Sequence, residues 1–268
     1  MKKYNTVLSI AGSDPSGGAG IQADLKAFSA IGCYGTTAIV AVVDENTIGV
    51  TGVHPIPVDF VTGQIKSVLD DIGADAIKIG MLHSSELIIA IKDTLLPYKI
   101  KNIVLDPVMV ATSGDKLLQD EAIDTLKNEL IPYTRIITPN IPEAEILLGK
   151  KINNQSDLPQ CAKELSFGDT VSVMLKAGHL KDNILTDIFY NAETKEILEL
   201  ASQRIYTKNT HGTGCTFSSA IAALLAKGYT LNEAVTKAKD YMIRTIQSGA
   251  KFEIGKGNGP VHHFTDWW

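Results

Sequence analysis

The residues best able to do chemistry sit in one run, Lys208-Asn209-Thr210-His211-Gly212-Thr213-Gly214-Cys215-Thr216, which leads at once into the apolar, small-residue stretch Phe217 to Leu225. A Gly-Thr-Gly turn opening into a helix aims several unpaired backbone N–H groups and the positive end of the helix dipole at one spot. That arrangement suits a phosphoryl group in transfer. Cys215 falls in the first turn, where the dipole is expected to lower a thiol pKa and the side chain can reach whatever the amides hold. The competing reading is a tight glycine turn beside a buried cysteine.

A second glycine-rich run, Ala11-Gly12-Ser13-Asp14-Pro15-Ser16-Gly17-Gly18-Ala19-Gly20, follows the short buried strand Val7 to Ile10. It precedes a helix marked by Ile21, Leu25, Phe28 and Ile31 and ended by Gly32. It is not a P-loop, because Gly17 is followed by Gly18-Ala19 rather than Lys-Ser/Thr, and the Gly-x-Gly-x-x-Gly spacing of dinucleotide sites is missing. A flexible turn explains the glycines but not Asp14 and Asp24 flanking them, which points to a ligand.

The elements that must position these loops alternate. Strands are expected at Thr37 to Val43, Ala76 to Ile79, Ile103 to Leu105, Arg135 to Thr138 and Val171 to Leu175. Helices are expected near 58–72, 85–96, 121–130, from Pro142, and near 158–165. This is the pattern of a parallel sheet covered on both faces. Ile184 to Tyr190 and Ile197 to Leu200 read instead as an edge hairpin, and the capping box Thr230-Leu231-Asn232-Glu233 starts a last long helix. With no repeat or linker, one domain over residues 1–268 is the economical reading. In such sheets ligands sit beyond the carboxyl ends of the strands. Gly12 to Gly20, Asp44-Glu45-Asn46, Gly80-Met81, Asp106 to Met109, Asn140 to Glu143 and Lys176 to His179 all gather on that rim. Together with the anion hole they indicate a phosphorylated ligand and a divalent cation.

Composition narrows the class. The chain is 44% hydrophobic, enough for a sizeable core, and its net charge of −5 comes without a Lys/Arg run, which speaks against nucleic-acid binding. Met1 to Asn5 leads into a strand rather than a secretory leader, and no apolar stretch would span a membrane, so a cytoplasmic protein is expected. Cys33, Cys161 and Cys215, odd in number and far apart, read as reduced thiols. His179, His211, His262 and His263 lack zinc-ligand spacing and read as loop polar groups.

The segments Ala11 to Lys26, Lys78 to Met81, Leu105 to Met109, Thr138 to Ala144, Thr210 to Thr216 and Gly259 to His263 resemble the hydroxymethylpyrimidine/phosphomethylpyrimidine kinases of thiamine biosynthesis. The resemblance runs the length of the chain. It implies an α/β, ribokinase-like three-layer αβα sandwich with a mostly parallel central sheet and an edge hairpin, related to pyridoxal kinases. It implies a kinase using ATP and Mg2+ that phosphorylates the hydroxymethyl of 4-amino-5-hydroxymethyl-2-methylpyrimidine and then the monophosphate, and it leaves room for a homodimer. By the same resemblance Cys215 accepts the hydroxyl proton, and the amides of Gly212, Thr213 and Gly214 hold the moving phosphoryl group. Glu143 and Asp106 serve the metal, with Asn140 and Lys176 on the nucleotide side. Gly12, Asp24, Glu45, Met81 and Val108 contact the pyrimidine.

One residue departs from the family pattern. Where many of these kinases have Gln before Asn-Thr, this chain reads Asp44-Glu45-Asn46-Thr47, placing a carboxylate at the ring-reading position. A carboxylate only accepts hydrogen bonds, whereas an amide donates and accepts. Either the aminopyrimidine binds protonated on its ring, or specificity moves toward the pyridine ring of vitamin B6. A pyridoxine/pyridoxal kinase is therefore the alternative, while a non-catalytic sensor is disfavoured by the presence of Cys215 and Glu143. A thiol hydrolase lacks an evident His base. The loop Val110 to Leu118, with Thr112-Ser113-Gly114-Asp115, is expected to fold over the site.

Overall fold

The computed structural model describes residues 2–109 and 118–268; residues 110–117 of the expected lid lie outside the described residues. Six strands lie parallel in the order β2 (Tyr34–Ile39), β1 (Thr6–Ala11), β5 (Ala76–Ile79), β6 (Ile103–Leu105), β7 (Ile136–Ile137), β8 (Ser172–Leu175). The antiparallel pair β9 (Ile184–Asn191) and β10 (Glu196–Gln203) extends the sheet beyond β8, as the expected edge hairpin.

The strands read as continuous apolar runs because both faces are covered, and the period-two pleat divides their side chains between two cores. Leu8, Ile10, Ile77, Ile79, Leu105, Ile137, Val173 and Leu175 join one cluster with α2 (Val58–Asp71), α3 (Ser85–Leu95), α5 (Ile141–Leu148) and α6 (Leu158–Leu165). Val7, Ala76, Val104, Ile136, Met174 and Phe189 join the other, with α1 (Gly20–Ile31), α7 (Thr213–Ala226) and α8 (Leu231–Gly249). This is the expected three-layer sandwich. The remaining helix, α4 (Asp120–Thr125), runs into a π turn over Leu126–Leu130.

One strand expectation is corrected. The run Thr37 to Val43 is not one strand: the chain bends at Val40, and Ala41–Glu45 (β3) leaves the sheet to pair antiparallel with Val50–Pro55 (β4). The cause is visible in the alternation along β3, where Ala41 and Val43 are buried while Val42 and Asp44 are exposed. A strand of that pattern has one wet face and cannot continue in a doubly covered sheet. Asn46 closes the turn, its side-chain oxygen accepting from the Ile48 N–H at 2.8 Å. The hairpin thereby carries Glu45 back to the rim.

Helix α7 is buried on all sides from Thr216 to Ala226, which its Ala, Ser and Leu content permits. Its start is fixed by Gly212 at φ 76, and a Cβ there would overlap Gly18 O, far inside any tolerable contact distance. The Gly12–Gly20 loop and the turn before α7 therefore interlock backbone to backbone. Gly149, the C-cap of α5 at φ 67, also has a left-handed backbone, but a Cβ there meets nothing within 4 Å. Gly149→Ala should cost only the left-handed penalty of about 1–2 kcal/mol. Gly212→Ala should cost several kcal/mol more, because the two loops must part. Urea melts of both variants check this, and equal losses would show that the interlock carries no weight.

Candidate active site

The rim at the carboxyl ends of the strands encloses a cavity of about 530 Å3. It runs from Gly12, Val43 and Glu45 beside β1 and β3 to Leu185 on β9 and Met242, Ile243 and Ile246 on α8. The first turn of α7 faces its middle with Thr213, Gly214 and Cys215. No side chain caps this helix end; the Thr213 N–H turns back to Thr210 O at 3.3 Å, and the amides of Gly214 and Cys215 after it are available to an anion.

Asp14 holds the two loops in place. Its carboxylate accepts from Ser16 N–H (2.7 Å), Gly18 N–H (3.0 Å), Ala19 N–H (2.6 Å) and the Ser16 hydroxyl (3.0 Å). It also meets His211 Nε2 at 2.8 Å. Burial opposes its charge, but the His211 contact and these donors hold the acid well below the usual carboxylate range. Burial likewise opposes a charged His211, and Asp14 with Glu45 outweighs it, raising the imidazole above its ordinary value. His211 is thus a buried partner to two carboxylates, with Glu45 Oε1 at 3.9 Å, rather than a loop polar group.

Two buried ion pairs lie near α7. Lys176 Nζ bonds Asp106 Oδ1 at 3.0 Å, and Thr138 donates to the same oxygen at 2.9 Å. A Cβ on Gly214 would lie 3.2 Å from Asp106 Oδ2 and 3.3 Å from Lys176 Nζ, so a residue larger than glycine would crowd this pair. Lys78 Nζ bonds Asp24 Oδ2 at 2.9 Å with neither side chain exposed, and Ser9 and Ser219 also donate to Asp24.

Gly12, Glu45, Met81, Val108, Lys176, Asn140, Glu143, Asp106, Gly212, Thr213, Gly214 and Cys215 all line the cavity. Four sequence expectations are revised. Asp24 does not line it: the carboxylate is consumed by Lys78, Ser9 and Ser219 in the layer beneath. Asn140 is chiefly a helix cap, its Oδ1 accepting from Glu143 N–H at 2.9 Å while Glu143 Oε2 accepts from Asn140 N–H at 2.8 Å. Lys176 does not face the cavity as an isolated cation: one of its three donors goes to Asp106 at 3.0 Å, which leaves two toward the cavity. The Cys215 thiol is not lowered by the helix end: burial pushes it up to about 11, Asp24 and Asp106 add to the rise, and Lys78 and the Gly20 N–H only partly offset it.

Lys78 is absent from the sequence-based site because β5 reads as a plain apolar strand. The signal was a lysine in the middle of four residues too apolar and short to be anything but buried.

A divalent cation would find hard oxygen donors on Glu143 and Asp106. Burial and the nearby Asp106 charge push Glu143 up to about 7 against the pull of Lys176 and two backbone N–H groups. Two carboxylates facing one ammonium leave negative charge unbalanced, so these residues fit a cation.

The phosphomethylpyrimidine kinase family pattern matches residues 14–262. A hydroxymethylpyrimidine/phosphomethylpyrimidine kinase of Rhizobium meliloti (strain 1021) is 47% identical over 262 residues, covering 97% of each chain. The solved phosphomethylpyrimidine kinase of Clostridium difficile 630 aligns with a TM-score of 0.78 and 42% identity over 90% of this chain and 99% of its own. The pyridoxal kinase of Staphylococcus aureus, solved with ADP, aligns with a TM-score of 0.89 and 34% identity over 99% and 96%.

Glu143 also makes a test independent of turnover. Its folded value lies above the ordinary 4.5, so the folded protein holds the extra proton between about 4.5 and 7. Burial of the charged form therefore costs stability that is absent below the ordinary value and full above pH 7. Glu143→Gln, which can keep the capping box, should raise stability at pH 8 without divalent metal by on the order of 2 kcal/mol and give no gain at pH 4. Denaturant melts across that range check it; a gain independent of pH would show that the buried charge is not the cause.

Proposed function

Because the chain belongs to the phosphomethylpyrimidine kinase family, we propose that it transfers the terminal phosphoryl group of ATP to the hydroxymethyl of 4-amino-5-hydroxymethyl-2-methylpyrimidine, and then to the monophosphate. The observation that carries this is the uncapped N-terminus of α7 opening onto the cavity with Cys215 in its first turn. Phosphoryl transfer needs positioning and charge stabilisation more than covalent chemistry, and helix amides in a buried site supply both.

The roles follow from what each group can donate or accept. The amides of Gly212, Gly214 and Cys215 bind the transferring phosphoryl oxygens, with the positive helix end behind them. The hydroxymethyl oxygen attacks phosphorus, the bond to ADP breaks, and the hydroxyl proton passes to the sulfur of Cys215. In a loose transition state the proton moves late, so a thiol that carries little negative charge at rest still serves as acceptor once its own proton has left. Glu143 and Asp106 would hold Mg2+, which supplies charge neutralisation to the triphosphate when bound. Lys176 and the Thr138 hydroxyl, both donating to Asp106 Oδ1, orient that carboxylate. The apolar stretch of Met242, Ile243 and Ile246 suits the nucleotide base, and Met81 and Val108 wall the pyrimidine.

Glu45 reads the ring. Its carboxylate sits 3.9 Å from His211, whose imidazole Asp14 and Glu45 push above its ordinary value against the effect of burial. A ring protonated on nitrogen would offer Glu45 two N–H donors in a charge-assisted pair.

Two measurements test these assignments. Cys215→Ala should fold and keep its KM for ATP but lose about 10²-fold or more in kcat, the range for a positioned proton acceptor. Near wild-type kcat would remove Cys215 from the reaction. Glu45→Gln should leave aminopyrimidine turnover within about tenfold, roughly 1.4 kcal/mol, and shift its pH dependence. A wild type that phosphorylated pyridoxine faster than the aminopyrimidine would overturn the substrate and leave the kinase standing.

A further inference from the structure

The β3–β4 hairpin that carries Glu45 is tied down at both ends. At its base the Ser13 N–H donates to Ala41 O at 2.9 Å and the Val43 N–H to Ser13 Oγ at 3.1 Å, which fastens β3 to the loop after β1. At its tip the Asn46 N–H donates to Gly49 O at 3.2 Å, closing a turn with Thr47 at its head. What meets the tip lies 210 residues further along the chain: the Gly257 N–H donates to Thr47 Oγ1 at 3.1 Å and the Asn258 N–H to Thr47 O at 2.7 Å. A Cβ on Gly257 would overlap Thr47 O, so the two segments touch backbone to backbone. The segment under the tip is anchored in turn to the run before α7. Asn209 Nδ2 donates to Gly249 O at 2.8 Å and to Phe252 O at 2.7 Å, and the His211 N–H donates to Gly259 O at 3.0 Å.

Glu45 lies between the two ties, and the pairing of β3 with β4 shifts register between Asp44 and Glu45. An irregularity of that kind re-aims a side chain. Here Glu45 lines the cavity with Oε1 3.9 Å from His211 Nε2. The hairpin is a separate two-stranded sheet with Val42 and Val53 exposed, and two strands alone are marginally stable in water. A tie at the base would leave the tip free to swing and take Glu45 with it. We propose that Thr47 is a positioning residue for recognition of the ring: its hydroxyl and carbonyl, seated on Gly257 and Asn258, hold the hairpin tip so that the Glu45 carboxylate stays at the ring-reading place. This rests on the reading of Glu45 as the group that meets the ring. Because the seat is also bonded through Gly259 O to the His211 N–H, the ring-reading carboxylate and the turn that opens α7 are held to one segment. The ring and the phosphoryl-binding amides are thereby kept in register with each other.

In the full-length protein, Gly257→Ala pushes the tip off its seat and should raise the KM for 4-amino-5-hydroxymethyl-2-methylpyrimidine about tenfold while leaving the KM for ATP unchanged. Gly52→Ala in β4, where a Cβ would make an ordinary 3.6 Å contact with Asp44 Cβ, should move neither. A merely structural seat would lower stability and leave both KM values in place, and that result overturns the proposal. Added to Glu45→Ala, Gly257→Ala should raise the pyrimidine KM no further, since the seat acts through the carboxylate; additive losses overturn it. Should Gly257→Ala not fold, Thr47→Val replaces it: only the Oγ1 acceptor is lost, and the same KM should rise about threefold, again not on the Glu45→Ala background. Hydrogen exchange followed by peptide mass over residues 41–55 reads the seat without turnover. It should quicken in Gly257→Ala, and unchanged exchange overturns the seat itself. An unchanged pyrimidine KM in Glu45→Ala instead sinks the ring-reading role of Glu45, and faster exchange beside it would show a seat that positions nothing.

Discussion

The site depends on a carboxylate that touches no substrate in the proposed mechanism. Asp14 gathers three backbone N–H groups, a serine hydroxyl and His211 around its two oxygens, and so joins the loop after β1 to the turn before α7. Without that join the Gly12–Gly20 loop would be a glycine-rich segment with high backbone entropy and little apolar contact to restrain it. With it, the loop packs against the turn so tightly that Gly18 and Gly212 admit no side chain on their facing sides. No side chain caps α7, because its N-cap residue is Gly212, which has none to offer.

Charge around the cavity is divided in a way that this architecture makes possible. Lys78 with Asp24, and Lys176 with Asp106, are neutral pairs bordering the first turn of α7 from β5 and α1 on one side and from the ends of β6 and β8 on the other. Each sets a local field without adding net charge, and each is oriented by hydroxyls, Ser9 and Ser219 for one and Thr138 for the other. What is left unbalanced is the positive end of α7 and the negative charge of Glu143. A nucleotide with its metal carries both complementary signs, so the two unbalanced ends fit the ligand as a unit.

Much of this was legible because parallel sheets put ligands at one rim and because turn and cap residues have few physical uses. The alternation of strands and helices gave the layers, and Asn140 with Glu143 and Thr230 with Glu233 marked their helices through capping boxes that both form. The β3–β4 hairpin was hidden because Thr37 to Val43 satisfies a buried-strand pattern; only the change from continuous burial to alternation at Ala41 separates the two. The Cys215 thiol was misjudged for a different reason. A helix end stabilises a thiolate by an amount that presumes solvent nearby, and the desolvation at this crossing exceeds it. Burial depth is a tertiary quantity that spacing does not encode.

The same distinction explains Lys78 and Asp24. In the sequence Asp24 stands near the glycine-rich loop and reads as part of it, yet on α1 it faces inward, below the residues that line the cavity. An acid at a helix position flanked by Ala23 and Leu25, with Ala27 and Phe28 following on buried turns, has no water to face, so it must have a buried partner. Among the described residues the lysine that meets this need is Lys78, itself in a strand where every position is buried. Each member of the pair requires the other, and a reading that treats them separately assigns one to the ligand and the other to the core. Their pairing leaves a fully buried salt bridge where α1 and α7 meet over β5, oriented by Ser9 and Ser219, with Lys78 at the wall of the cavity.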